Sequence, residues 1–469
     1  MRIRRIAKVI IFSIILVCFL NYIYNVFSWK DTAGAYYSSM ESFYDLEEDL
    51  IDVLFLGSSH CYCSVDNALL WDEHGIGSFS LAISGQDLAS SYHCMAEALK
   101  TQTPEVICVE MYGATFHGYQ VEGNMYRNTL PYKWSLNGYH AVKSIVEEEK
   151  QEDVLLRWPI IHTRYAELQK EDFVKSNVPY LGYDPVFEVG HVDELKTYHG
   201  DEAEPIGEEE ELWLRKIIAL AEDADIELCF FVAPYVTSEY WQKNYNYVKQ
   251  IAKEHDVAFI NMTDMQEELK LDLSQDFCDW AHTNHNGAKK VTGYLGQFLK
   301  DNYELKDRRE DERYALWAEN SMTGMRKEQN QLLKQSTDVR SYLDIVEDLS
   351  NYTVVIATDG NYRYDETDIS EYLTNLGIAE EFYASDGMWV IDNWKTVGKS
   401  NEEDFFIFME LSDGDLAVNS TAGQKNIVID RQSYYKVQNG INIVIYDNIL
   451  GTVADAVGFD AANQYACVR

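Results

Sequence analysis

Between residue 51 and about residue 300, short apolar runs alternate with longer stretches whose apolar residues recur every three or four positions. The runs Ile51–Leu56, Ser78–Ile83, Val106–Met111, Ile226–Val232 and Val257–Ile260 are bounded by Gly, Pro, Asp or Asn, the pattern of parallel strands covered on both faces. Helical spacing fills Asp87–Thr101, Gly207–Asp223, Ser238–His255 and His285–Leu299. The second of these opens on Glu208–Glu211, carboxylates placed where a helix N-terminus favours negative charge. This alternation predicts an α/β domain over 45–302, a three-layer α/β/α sandwich around a parallel sheet, with ligands bound beyond the carboxyl ends of the strands. The stretch 113–205, rich in Tyr, Trp and His, is too long for a simple connection and reads as an insertion overhanging the site.

The texture changes after residue 302. Residues 303–351 carry the charged run Lys306–Arg313 and a helical period in Leu332, Leu333, Tyr342, Leu343, Val346 and Leu349, and read as a helical connector. From 352 to 469 short alternating strands follow: Thr353–Ala357, Met388–Ile391, Phe405–Leu411, Asn426–Ile429, Ile441–Tyr446 and Thr452–Val457. One helix, Glu366–Asn375, ends at Gly377 as a C-cap glycine requires. This predicts a compact β-rich α+β domain.

At the other end, Arg2, Arg4, Arg5 and Lys8 precede an apolar run, Val9–Phe27, broken only by Ser13, Asn21 and Asn25. It is about long enough to cross a hydrocarbon core of ~30 Å as a helix. Tyr22, Tyr24, Phe27 and Trp29 occupy the place of a small-residue cleavage site, so residues 1–8 read as a cytoplasmic basic tail and 9–28 as an uncleaved transmembrane signal anchor. The rest of the chain is then extracytoplasmic, with Tyr22, Tyr24 and Trp29 at the membrane interface. The alternative is a cleaved signal peptide.

Charge narrows the partners. Against 78 acidic residues stand 39 Lys and Arg, a net −39, and removing the four cationic residues of the tail leaves −43 for the remainder. Nucleic acid, whose phosphates are neutralised by Lys and Arg, is excluded as a partner. Low Pro and Gly with 46% hydrophobic residues excludes disordered and collagen-like classes. Eight cysteines are too few and too irregular for a disulfide scaffold, and Cys18 lies in the apolar run. Cys108 and Cys229, inside strand-like runs, read as buried free thiols.

The chemistry collects at two places. Strand 51–56 runs into Gly57-Ser58-Ser59-His60, where a serine just past a parallel strand presents its hydroxyl and backbone N–H to the crevice. The segment Cys278-Asp279-Trp280-Ala281-His282-Thr283-Asn284 lies just before the last helix of the domain. Asp279 and His282, three apart, can place a carboxylate on one imidazole nitrogen while the other reaches Ser59. A zinc site drawn from His60, Cys61, Cys63, His93, Cys94, Cys278, His282 and His285 is the rival, but the triad explains His282 without a metal, and neither metal nor cofactor is called for. A bridge from Cys61 or Cys63 to Cys278 would tie the two loops. His285 reads as a solvent-facing or cap residue.

Gly-x-Ser after the first strand, a glycine after the second and Asp-x-x-His-x-Asn before the last helix resemble the SGNH/GDSL hydrolase superfamily over roughly 51–300, whose fold is flavodoxin-like. The resemblance implies Ser59 as nucleophile, His282 as proton relay, Asp279 as its orienting acid, and the N–H groups of Ser59 and Gly85 as an oxyanion hole; Asn284 and Ser58 would order the loops. The third strand departs from the pattern, ending Val109-Glu110-Met111-Tyr112-Gly113 without an Asn. Gly-Ser-Ser with a single anchor is similar to the DltD-like cell-envelope acyl-transfer branch. The closing runs Gly440–Asp447 and Val457–Asp460 make 352–469 resemble the ILEI/PANDER domain, which implies glycan binding by analogy.

Together these readings point to an O-acyltransferase, most simply for acetyl, acting on a cell-envelope polysaccharide and receiving its acyl group through a multi-pass membrane acyltransferase. The alternatives are a carbohydrate O-acetylesterase and a non-catalytic glycan-binding scaffold.

Overall fold

The computed structural model describes residues 2–28, 37–116, 121–168, 170–173, 179–195, 198, 200–347, 349–360, 366–384 and 386–469. Trp29 lies outside them. The chain divides into two compact units, Met1–Ser321 and Met322–Arg469.

The first unit is built on five parallel strands, β1 (Val53–Gly57), β2 (Ser78–Ala82), β3 (Val106–Glu110), β4 (Glu227–Val232) and β5 (Ala258–Asn261), in the order β2-β1-β3-β4-β5. Strand alternation sorts the side chains. Leu54, Leu56, Ile107, Val109 and Phe230 pack against helices Leu88–Ala98, Glu208–Ala224 and Glu239–Glu254 on one face. Val53, Phe55, Cys108, Cys229 and Phe231 meet Asn67–His74 and His285–Asn302 on the other. Both faces are covered, so the domain is the expected three-layer sandwich. The strand order reverses between β1 and β3, which opens a crevice at their carboxyl ends.

Helix Asn67–His74 has no counterpart in the sequence reading. Its buried Ala68, Leu70 and Trp71 do not share one stripe, because it is wedged between elements instead of lying on a surface. Among its described residues the insertion holds short helices, from Glu122–Arg127 to Pro179–Gly182, the longest being Leu136–Ile145. The N-terminal helix Arg2–Phe27 contains the stretch Lys8–Phe27, of mean hydropathy 2.2, long and apolar enough to cross a membrane.

The second unit has an antiparallel six-stranded sheet whose central strands are Tyr352–Asp359 and Gly440–Asp447, and a four-stranded sheet containing Phe405–Glu410, Asp415–Thr421 and Gln424–Ile429. One face of the larger sheet packs on helices through Ile369, Leu373 and Phe382; the other meets the smaller sheet through Val355, Val390, Val418 and Ile427. Leu333, Tyr342, Leu343 and Val346, from the segment read as a connector, lie in this core. Gly377, at φ +75°, follows helix Glu366–Asn375.

Candidate functional site

Strand β1 delivers the chain into a turn that needs glycine. Gly57 has φ +151°, and a Cβ there would come within 2.6 Å of Glu110 Cβ and 3.0 Å of Cys61 Cβ. Ser58 then caps the short helix Ser59–Tyr62, its Oγ accepting from the His60 N–H at 3.3 Å. Ser59 is left at the first helical position with its hydroxyl toward the acid loop. Among the described residues neither the Ser59 N–H nor that of Gly85 donates to a protein acceptor. Gly85 itself adopts φ +62°. Two unpaired donors, in the turns that follow the neighbouring strands β1 and β2, are what an oxyanion would use.

His282 Nε2 accepts from Ser59 Oγ at 2.8 Å, and His282 Nδ1 donates to Asp279 Oδ1 and Oδ2 at 3.0 and 3.1 Å. The Asp279 carboxylate also accepts from the Ala281 and His282 N–H groups at 2.7 and 2.9 Å. Burial works against its charge, but the bond from His282 and these backbone donors outweigh it and hold Asp279 below the ordinary carboxylate range. The acid loop is braced on three sides. Cys278 N–H donates to His282 C=O at 3.1 Å, Val236 N–H to Trp280 C=O at 2.8 Å and Gly190 N–H to Phe277 C=O at 2.8 Å. Ser64 Oγ meets Thr283 Oγ1 at 2.9 Å, joining the segment after Ser59 to the loop that carries Asp279 and His282.

Asn284 caps helix His285–Asn302, accepting from Asn286 and Gly287 N–H while its Nδ2 donates to Gln275 C=O at 2.7 Å. His285, expected from sequence to be solvent-facing or a cap, is neither: it is buried at the first helical position behind the Asn284 cap, its Nδ1 2.9 Å from the Tyr183 hydroxyl of the insertion. Of the rival metal set, His93 bonds Asn137 and Ser144 and Cys94 meets Tyr132, away from the acid loop. Among the described residues only Cys278, Asp279 and His282 bring potential ligand atoms within 4.8 Å of one another, and two of these are engaged with each other. All eight cysteines are free. Burial pushes the Cys278 thiol up to about 11, leaving it protonated and a poor nucleophile near neutral pH.

Sequence reasoning missed Glu110. This buried carboxyl closes β3 under the Gly57–Ser59 turn, accepting from Ser58 Oγ at 3.2 Å and from the Tyr112 N–H at 2.8 Å. The available signal was a charge ending an otherwise apolar strand. Burial raises Glu110 to about 8, despite those donors. A raised acid favours folding while the folded form keeps its proton, so this contribution is complete below pH 4.5 and is lost as pH climbs through about 8. His60 and His93, pushed down by burial, act oppositely but only below their ordinary 6.5. Between pH 6.5 and 8 the wild-type Tm is therefore expected to fall more than that of Glu110→Gln, which mimics the protonated form. Parallel Tm curves over that range, read by scanning calorimetry, would show Glu110 to be ionised throughout.

His60, weighed from sequence only as a zinc ligand, has a different place here. It stacks on Tyr112 with ring centroids 3.8 Å apart and sits edge-on to His282 at 5.2 Å, forming the floor beside the imidazole. From the insertion, Asn128 Nδ2 donates to Ser84 C=O at 3.1 Å and so steadies the turn that carries Gly85.

No protein-family model matches the chain, and no curated protein does. Among solved structures, a Bacteroides fragilis NCTC 9343 protein described as a "putative acylhydrolase" is similar at 10% identity, covering 58% of this chain and 99% of its own, with a TM-score of 0.29. A Parabacteroides merdae ATCC 43184 protein described as a "putative GDSL-like lipase" is similar at 14% identity, covering 54% and 98%, with a TM-score of 0.18. Likeness of this degree carries no argument; the weight rests on the geometry above.

Proposed function

We propose that this chain is a membrane-anchored, extracytoplasmic SGNH/GDSL-type serine enzyme that transfers an acyl group, most simply acetyl, to a cell-envelope polysaccharide through an acyl-Ser59 intermediate. The observation that carries it is the continuous hydrogen-bonded line Asp279–His282–Ser59, together with unpaired N–H groups at Ser59 and, in the turn after β2, at Gly85. Ser59 Oγ attacks the acyl carbonyl as His282 Nε2 takes its proton, and the oxyanion lies on the two N–H groups. Collapse breaks the bond to the leaving oxygen or sulfur, which receives the proton from His282. A sugar hydroxyl, deprotonated by His282, then attacks the acyl carbon, and the ester bond to Ser59 Oγ breaks as His282 returns that proton to it. With water in place of the sugar the same steps make an O-acetylesterase.

Transfer is favoured by the N-terminal helix, which would hold the site near acyl donors arriving through a multi-pass membrane acyltransferase. A glycan acceptor fits Trp280, an aromatic side chain 55% exposed between Asp279 and His282. In the second unit Phe406 and Phe408, 66% and 55% exposed on one side of their strand, are where a glycan would stack if that unit recognises sugar. The net −39 makes phosphate-rich acceptors unfavourable. The test supplies an acetyl ester with neutral, amino-sugar or phosphate-rich glycans and follows acetylated glycan against free acetate. Acetyl on neutral or amino-sugar glycan is the expected result. Acetate alone would make it an esterase, and neither product, with glycan still bound, a scaffold.

A further inference from the structure

The C-terminal end of the N-terminal helix does not lead away from the domain as a bare tether; it is gripped by the insertion. Arg164 Nη1 donates to the Phe27 and Ser28 carbonyls at 3.0 and 2.5 Å, placing a cation on the negative end of the helix. Arg157 Nη1 donates to the Tyr24 hydroxyl at 2.9 Å, and its guanidinium lies over the Tyr24 and Trp134 rings at 5.4 and 4.4 Å. Trp158 packs on Phe27 with ring centroids 5.4 Å apart. Val26 is buried beneath this grip, whereas Ile6 to Tyr22 stay largely exposed.

The gripping segment also carries uncovered apolar surface. Trp134 is 69% exposed, Leu156 59%, Trp158 48% and Tyr165 72%; Trp158 touches the helix end, Leu156 and Tyr165 are chain neighbours of Arg157 and Arg164, and Trp134 lies against the Arg157 guanidinium. Scattered apolar residues are ordinary on a soluble surface, but a concentration of them at one place marks an interaction site. Here the place decides the partner. Where an apolar helix leaves a bilayer, the residues bound to its last turn are held at the water–lipid boundary, the level at which Trp and Tyr are enriched because their rings are apolar and their N–H or O–H is polar.

We propose that the insertion, through Trp134, Leu156, Trp158 and Tyr165, is a second membrane contact that seats the domain on the bilayer surface beside its anchor. This rests on the reading of 9–28 as a membrane span. Because the chain is strongly acidic, the seat works through aromatic and apolar partition, without need of anionic lipid. It would hold the sandwich at a fixed height and tilt, instead of letting it swing on a linker.

The test puts the full-length protein in phosphatidylcholine nanodiscs with a photoreactive p-benzoylphenylalanine at one position at a time. Leu16 in the apolar helix is the positive control, and Tyr240, 50% exposed on helix Glu239–Glu254, is the distant one. All four sites are exposed, so folding is unaffected. After irradiation, lipid adducts at Leu156 and Tyr165 should be several-fold above those at Tyr240 and approach those at Leu16. Adducts at Leu16 with Leu156 and Tyr165 at the Tyr240 background would overturn the seat and leave the anchor standing. No adduct at Leu16 would overturn the anchor and the seat together.

Discussion

Ser59→Ala and His282→Ala should each lower acyl-ester turnover by about 10³-fold or more, with far-ultraviolet circular dichroism and Tm close to wild type. The expectation follows from the unit the three residues form. With the Ser59 hydroxyl gone nothing accepts the acyl group; with the imidazole gone nothing takes the proton at 2.8 Å. Asp279→Asn should be comparable or milder, since the amide can present an N–H where Nδ1 needs an acceptor and so favour the wrong tautomer. Steady-state kinetics on a chromogenic acetyl ester decides the matter. Normal turnover in Ser59→Ala with loss in Ser58→Ala would shift the nucleophile by one residue, against a Ser58 hydroxyl that is buried and committed to His60 N–H and Glu110.

Gly57→Ala should have the next largest effect, acting on stability and activity together. The new methyl meets Glu110 Cβ, part of a strand that cannot retreat because β1 and β3 are paired from Val53↔Val106 to Leu56↔Val109. The backbone at φ +151° is also one that alanine rarely adopts. Overpacking and strain of this kind cost about 1–3 kcal/mol each. What yields is the turn itself, and a shift of ~1 Å at the nucleophile is worth about 10²-fold in rate. Denaturant melts and kcat measured on the same preparation test this. Wild-type values for both would mean that the turn relaxes freely and that its geometry is not what positions Ser59.

Much of the framework was legible because each strand of the parallel sheet is an apolar run between turn residues, and such runs are written plainly wherever both faces are buried. Helix Asn67–His74 was not legible, since contacts on several sides erase the single stripe that marks an amphipathic helix. In the second unit, strands Lys395–Ser400 and Gln432–Ser433 lack an apolar alternation because they are sheet edges with mostly exposed side chains. The helix Val339–Glu347 looked like a connector among charged neighbours, yet its apolar side is core. At the site, Ser59, Asp279 and His282 stood out by residue type and spacing. Glu110 and Asn128 did not, and His60 did so only as a candidate zinc ligand, because their places arise from what β3, the short helix after β1 and the insertion bring against the Gly57–Ser59 turn. No spacing along the chain encodes those meetings.

The claim on which the rest depends is that Ser59 carries the acyl group. Incubation with p-nitrophenyl acetate, an acid quench and peptide mass spectrometry test it without any knowledge of the natural acceptor. One added acetyl mass is expected on the peptide that contains Ser59, absent in Ser59→Ala and discharged by water or glycan over time. An unmodified Ser59 peptide, or an acetyl group found elsewhere and retained in Ser59→Ala, would contradict it.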